Sequence, residues 1–360
     1  MPKLTTTFKD LIRLLDADSG ELLEIQLQRI KMGILEMEDV LFHLNSCVMM
    51  PEAPSGPSSS QGAQGTTQAE EERLGEQREE TGIRALALAF QRLEWYPKQG
   101  ILLAGHTDTS GGYALNFGLS AERAQNVQYL LEGKRRPWAA LSEGRHKVED
   151  YQQILAYLAT NPRLLWPTDP GPIDDRYGEK TENAIFRFIE SYNEHYSDRF
   201  GPPGETGTDD RPTPLSPDLV GRVRRDPRHR WPIELWQAVF DLYMEEMADA
   251  LDLDPSKLEG YRNSHLRWAD KRKYHVACGE SFPIDSAERN NYRSQKNRRV
   301  EILFFDEGEA PVLDCPPVVD RAHVAKECPI WHKHHYTPIY LDRVELRSVP
   351  YHMKFLYFDN

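Results

Sequence analysis

Residues 101–131, ILLAGHTDTSGGYALNFGLSAERAQNVQYLL, place an acid and a base fifteen positions apart: Asp108 and Arg123. Asp108 follows a short apolar run between glycines, residues 100–105, which suits a buried strand. Gly111 and Gly112 in the next loop allow close backbone approach. Ser120 is a suitable N-cap, with Glu122 in the first turn and Ala124, Val127, Leu130 and Leu131 on one face. Arg123 is therefore expected at the start of a helix. A carboxylate at a strand end and a guanidinium at a helix start can face one cleft. Such a pair suits a zwitterion, Asp108 for its ammonium and Arg123 for its carboxylate, with the helix N-terminus adding donors. The same spacing also fits an ion pair that only fixes the loop. His106 has no nucleophile beside it, so it is expected to pack or hydrogen-bond at the strand end rather than act as a base. Cys328, His332, His334 and His335, with Cys315, have metal-compatible spacings, but their order and long gap match no zinc module. A Cys315–Cys328 disulfide competes for the same residues. No metal and no cofactor is expected.

The elements that would position the pair can be read on either side of it. Residues 8–30 hold two apolar runs around an Asp-Ala-Asp-Ser-Gly turn, which fits a β-hairpin, with a helical reading in competition. Residues 39–50, DVLFHLNSCVMM, read as a buried strand. The tract 51–69 is Pro, Gly, Ser and Gln with almost no apolar side chains, the composition of a flexible loop. The charge run from Glu70 to Glu80 reads as a solvated lead-in to a helix. Ile83, Leu86, Phe90 and Leu93 stack on one helical face, which Pro97 ends. The opening part is thus β-α-β-α, the grammar of an α/β sandwich. The middle, 134–271, is rich in Trp, Tyr and Arg, with helices near 148–160, 181–196 and 232–250 and a breaker-rich tract at 201–217. Trp231, Trp236, Tyr243 and Met244 are expected in its core. Strand character returns at 273–277 and 298–305, and twice more in 336–359.

These residues carry a resemblance. GHTDTSGG, Asn116 and LSAERAQNV resemble the signature of the OmpA-like C-terminal domain, the peptidoglycan-associated fold. FHLNSCVMMPE (42–52) is similar to that family's opening strand, CGESFPI (278–284) to the stretch after its third strand, and NRRVEI (297–302) to its close. The resemblance covers about 40–53, 82–133 and 272–306. It implies an α+β fold, an OmpA-like βαβαβ(α)β sandwich, with a mainly helical inserted domain and β-rich N- and C-terminal flanks. The implied division is a β-rich flank at 1–38, a first part at 39–133 with 51–81 as a flexible loop, an insertion at 134–271, a second part at 272–306 and a β-rich extension at 307–360. It also implies non-covalent binding of the peptidoglycan peptide stem. Asp108 and Arg123 match the pair that grips diaminopimelate. Thr107, Thr109, Leu115 and Asn116 match positions that line or shape the loop. Arg298 and Arg299 match the closing arginines, one of which faces the cleft. Within 148–190, Asp174, Gly178 and Thr181 resemble the mark of the small helical PGBD-like peptidoglycan-binding domain. There Thr181 is expected to cap a helix, Gly178 to make the turn, and Ile185, Phe186 and Ile189 to form the apolar face. The family's usual Gly after the Asp is Asp175 here, so the fold carries over better than the sugar binding.

Composition bounds these readings. The 360 residues carry 44 basic and 57 acidic side chains, a net charge of −13. That balance argues against nucleic acid and against anionic membranes as partners. No apolar run reaches the length of a transmembrane helix. The N-terminus, MPKLTTTFKDLIRLLDADSG, does not read as a secretory signal. The expectation is a non-enzymatic protein that anchors itself or an assembly to the bacterial cell wall, facing the periplasm or reaching it by particle-mediated export. Its alternative is an attachment component of a contractile, phage-tail-like or secretion assembly, with tail or baseplate proteins as partners. A wall hydrolase is the weaker rival. On this reading Asp108→Ala and Arg123→Ala should each abolish wall binding with little change in melting temperature.

Overall fold

A computed structural model describes residues 42–51, 82–200, 211–225, 231–283, 285–286 and 289–308, and the strand backbones at 8–15, 22–37, 336–341 and 355–356. It is a mixed α+β structure. In chain order the strands are β1 (Phe8–Leu15), β2 (Leu22–Met37), β3 (Gly100–His106), β4 (His275–Gly279), β5 (Val300–Phe305), β6 (Tyr336–Leu341) and β7 (Phe355–Leu356). The helices are α1 (Ile83–Trp95), α2 (Tyr113–Glu132), α3 (Arg135–Gly144), α4 (Val148–Thr160), α5 (Glu179–His195), α6 (Asp218–Arg225), α7 (Ile233–Ala250) and α8 (Leu258–His265).

The sheet runs β4-β3-β5-β2-β6-β7, with β1 paired to β2. β3 lies parallel to β4 and antiparallel to β5, and β5 lies antiparallel to β2. β2 serves three ladders. Its first half forms the expected hairpin with β1, Phe8 opposite Arg29 through Leu15 opposite Leu22. Its second half pairs with β5, Gly33 opposite Phe304, and runs parallel to β6 from Ile30 opposite Tyr336. In the tail, strand pairing is described only for β6 and β7.

Two sequence expectations change here. The buried strand expected over 39–50 is not one where the structure describes it: Phe42 and residues 46–50 are buried but 42–50 is irregular, and the sheet takes β2 instead. The reason is chemical. His43 and Ser46 use their side chains and carbonyls on long-range partners, described below, rather than on a ladder. A strand of the central sheet therefore lies inside the 1–38 stretch. The second change is the start of α2. It begins at Tyr113 after the Gly111–Gly112 break, and Ser120 lies inside it. Ser120 Oγ donates back to the Phe117 carbonyl (2.8 Å) and accepts from the Gly279 amide (2.9 Å), tying α2 to β4. Gly105 permits this approach, since a Cβ there would stand 2.0 Å from the Ser120 carbonyl oxygen.

Helices α3–α8 occupy the chain between α2 and β4, as the composition of 134–271 anticipates; α3, α6 and α8 are additional to those predicted. Their core is continuous with that of the sheet: one apolar cluster joins Phe90, Ile101, Val127 and Phe304 to Trp138, Trp231, Trp236 and Tyr243. The Trp138 ring lies 5.5 Å from Tyr243 and 6.0 Å from Trp236. Met244 is partly buried against the same cluster. Arg135 makes a two-pronged ion pair with Asp241 (2.7 and 2.8 Å), which also accepts from the Tyr192 hydroxyl (2.6 Å).

The 174–181 loop is a folding device. Gln152 donates to Asp174 Oδ1 (3.2 Å), the Arg176 carbonyl (3.0 Å) and Thr181 Oγ1 (3.2 Å), and its own oxygen accepts from the amides of Asp174 and Asp175. Thr181 is thus inside α5 and bonds Gln152; Gly178, not Thr181, holds the cap position. Asp175 has φ 58°, in the left-handed region that glycine favours, and its carboxylate accepts from the amides of Val148 (3.1 Å) and Glu149 (3.4 Å) at the start of α4. Ile185 and Ile189 are buried, but Phe186 is 38% exposed; Phe188 takes its expected place in the core. The segment 52–81, most of the 201–217 tract, and Cys315, Cys328, His332, His334 and His335 lie outside the described residues.

Candidate functional site

Asp108 lies in the loop after β3, at the end of the sheet where parallel β3 and β4 both finish. Crevices outside the carboxyl ends of parallel strands are common ligand sites. Ser110 donates to Asp108 Oδ1 through its amide (3.2 Å) and hydroxyl (2.5 Å). Arg298 Nη1 donates to Asp108 Oδ2 at 2.9 Å. Asn116 holds the loop from beneath, donating to the carbonyls of Asp108 (3.3 Å) and Ser110 (3.0 Å) and to Glu280 Oε2 (2.9 Å). Thr107 is buried, and its amide donates to the Gly279 carbonyl (2.8 Å). Thr109 Oγ1 donates to the Arg289 carbonyl (3.0 Å) and accepts from the Tyr292 amide (3.0 Å). Leu115 stands 49% exposed above, beside exposed Gly111 and Gly112.

Arg123 is placed differently from its expectation. It lies in the middle of α2 and its side chain is fully buried. Nε donates to the Ser46 carbonyl (3.0 Å), Nη1 to that of His106 (3.1 Å) and Nη2 to that of His43 (3.1 Å), and the guanidinium sits 5.3 Å from the centre of the Phe42 ring. Burial, then repulsion from Arg298, lowers its pKa to about 9, against the pull of Asp108. Asp108 thus senses the Arg123 charge, but its ion-pair partner is Arg298.

The two closing arginines part company. Neighbouring residues along an extended chain point to opposite sides. Arg298 turns to Asp108 and also donates to the carbonyls of Phe42 (3.1 Å) and Ser294 (3.1 Å). Its Nη2 makes no hydrogen bond among the described residues. Arg299 turns to Glu301, with Nε 2.7 Å from Oε1, and donates to the Phe282 carbonyl (3.0 Å). Burial alone would raise the Glu301 pKa, yet Arg299 and His106 pull it down to about 2. His106 bonds at the strand end, Nδ1 3.2 Å from the Ser281 carbonyl oxygen and Nε2 3.3 Å from Glu301.

The sequence reading passed over His43 and Asp150. Asp150 is buried at the start of α4 and accepts from His43 Nδ1 (2.7 Å), Ser46 Oγ (2.7 Å) and the Lys147 amide (2.6 Å). The one available signal was Asp150 three residues after Lys147, the spacing of a capping box. Burial works against a charged His43, but the hydrogen bond and charge of Asp150, with Glu149, outweigh it and raise the pKa above 6.5, while Arg298 opposes them. A raised histidine pKa stabilises the fold fully below about 6.5 and ceases to do so as pH rises through the raised value. His106, His146 and His275 are held below their ordinary value by burial and contribute the opposite slope. The difference in stability between the wild type and His43→Gln should therefore be constant at acid pH and shrink as the pH rises above about 6.5, measured by urea unfolding. A difference constant with pH would show that His43 does not titrate against Asp150.

Among the described residues no helix is long and apolar enough to cross a membrane, and no group of three or more His, Cys, Asp or Glu is placed to hold a metal ion. Compared with protein-family models, with curated proteins and with solved structures, the chain matches none.

Proposed function

We propose that the chain binds the peptide stem of peptidoglycan without covalent chemistry and anchors itself, or an assembly it belongs to, to the bacterial cell wall. The observation that carries the reading is the Asp108–Arg298 ion pair beneath an exposed Gly-Gly-Leu rim, in a loop fixed by Asn116 and Thr109. The element order β2-α1-β3-α2, a helical insertion, then β4 and β5 supports an OmpA-like βαβαβ(α)β sandwich. The motif residues of that resemblance converge on one end of the sheet. The ammonium of diaminopimelate takes the place of Arg298 Nη1 on Asp108, and its carboxylate meets the Arg298 guanidinium. Arg123 lies behind both and holds the backbone that shapes them. The protein works by recognition in the cell envelope, and no step of it is catalytic.

Asp108→Asn keeps the size of the side chain and removes the charge that holds an ammonium. A charge-assisted hydrogen bond of this kind contributes about 1.5–3 kcal/mol, so retention on purified peptidoglycan should fall roughly 10- to 100-fold. Circular dichroism of the variant should match the wild type. Undiminished retention by folded Asp108→Asn would sink the proposal.

A further inference from the structure

The loop before β5 carries charge that the Asp108 site does not use. Arg289, Arg293 and Lys296 are all exposed, and none forms an ion pair among the described residues. The chain as a whole carries a net charge of −13, so this cationic stretch runs against the overall field. The loop is also built rather than loose. Asp285 accepts from Ser294 Oγ (2.6 Å) and Ser286 Oγ (3.0 Å), and its carbonyl accepts from Asn297 Nδ2 (2.9 Å). Thr109, the neighbour of Asp108, is bonded to Arg289 and Tyr292 on the same loop. The Arg289 guanidinium lies 5.3 Å from the centre of the Tyr292 ring, which limits its wandering. Among the described residues the acids near this loop are Asp285, engaged as described and within electrostatic reach of Lys296 and Arg289, and Glu280, bonded to Asn116.

Resting on the stem-binding reading above, we propose that Arg289, Arg293 and Lys296 form a cationic subsite. It takes a second carboxylate of the same peptide, outside the zwitterion held at Asp108. Besides its C-terminal carboxylate, a diaminopimelate stem offers the α-carboxyl of its γ-linked glutamate, which is an anion when free and neutral when amidated, and this is the group assigned to the subsite. The loop therefore makes the protein selective for stems with a free glutamyl carboxylate. Guanidinium groups suit this task, since they meet a carboxylate through paired donors.

The test is a calorimetric titration of the whole chain with two synthetic stem peptides, identical except that the glutamyl α-carboxyl is free in one and amidated in the other. The wild type should bind the free form roughly five- to tenfold more tightly, and added salt should narrow the gap. The triple variant Arg289→Gln, Arg293→Gln, Lys296→Gln should bind both peptides with the affinity that the wild type shows for the amidated one. All three side chains are exposed, so the fold is expected to survive. Equal wild-type affinities, or a preference that persists in the triple variant, would overturn the subsite while leaving the Asp108 site standing. Failure of the wild type to bind either peptide would overturn the stem-binding reading and the subsite with it.

Discussion

Arg123→Ala is expected to destabilise the chain by roughly 3–5 kcal/mol, read as a lowered midpoint in urea unfolding. The three donor nitrogens of Arg123 are all engaged by backbone carbonyls, of Ser46, His106 and His43. Bulk solvent does not reach them, because the side chain is fully buried. Truncation takes a donor from each of three carbonyls, of which that of His43 keeps the Ser46 amide (3.2 Å), and leaves a void against the Phe42 ring; both penalties fall on the folded state alone. Arg123→Lys keeps the charge but not the fork, so it should recover only part of the loss. The expectation drawn from the resemblance was the reverse: lost wall binding with little change in melting temperature. On the proposed function that phenotype belongs to Asp108 and Arg298 instead. Wild-type stability in Arg123→Ala, together with lost retention, would return Arg123 to the cleft.

Much of the frame was legible because it depends on short-range patterns. The stripe through Ile83 and Phe90 declares its helix by periodicity, and the short apolar runs at 100–105 and 298–305 declare strands by their length, composition and flanking residues. The Asp108 loop was legible too, through its glycines and its place after a strand. What misled was chemistry acting at long range. DVLFHLNSCVMM has the composition of a strand, yet His43 and Ser46 are drawn to Asp150, more than 100 positions away. Ser120 is a good N-cap residue, but Gly112 had already opened the helix, and nothing between Tyr113 and Ser120 is strong enough to break it. That shift of two turns carried Arg123 from the helix start into its buried middle. The Arg298–Asp108 pair spans 190 positions, and no local rule could have chosen Arg298 over Arg123.

Asp150→Ala should cost as much as Arg123→Ala, roughly 3–5 kcal/mol, and for a related reason. The carboxylate is buried and receives His43, Ser46 and the Lys147 amide together. Its loss strands three donors, one of them a raised-pKa histidine. The consequence extends to the proposed site, although α4 contributes no residue to the loop around Asp108. Residues 42–46 supply the carbonyls that receive Arg298 and Arg123, and Asp150 is what pins this segment to α4. Releasing it should weaken wall retention as well as stability. Two measurements separate this coupling from general unfolding. In the Asp150→Ala background, His43→Gln should have almost no further effect and no pH dependence, because the pair is already broken. Urea unfolding should remain a single transition, since the apolar core runs without interruption from the sheet into α3 and α7. A helical segment that melts separately, with Asp108-dependent retention intact, would show that it is a passenger and that Asp150 does not reach the site.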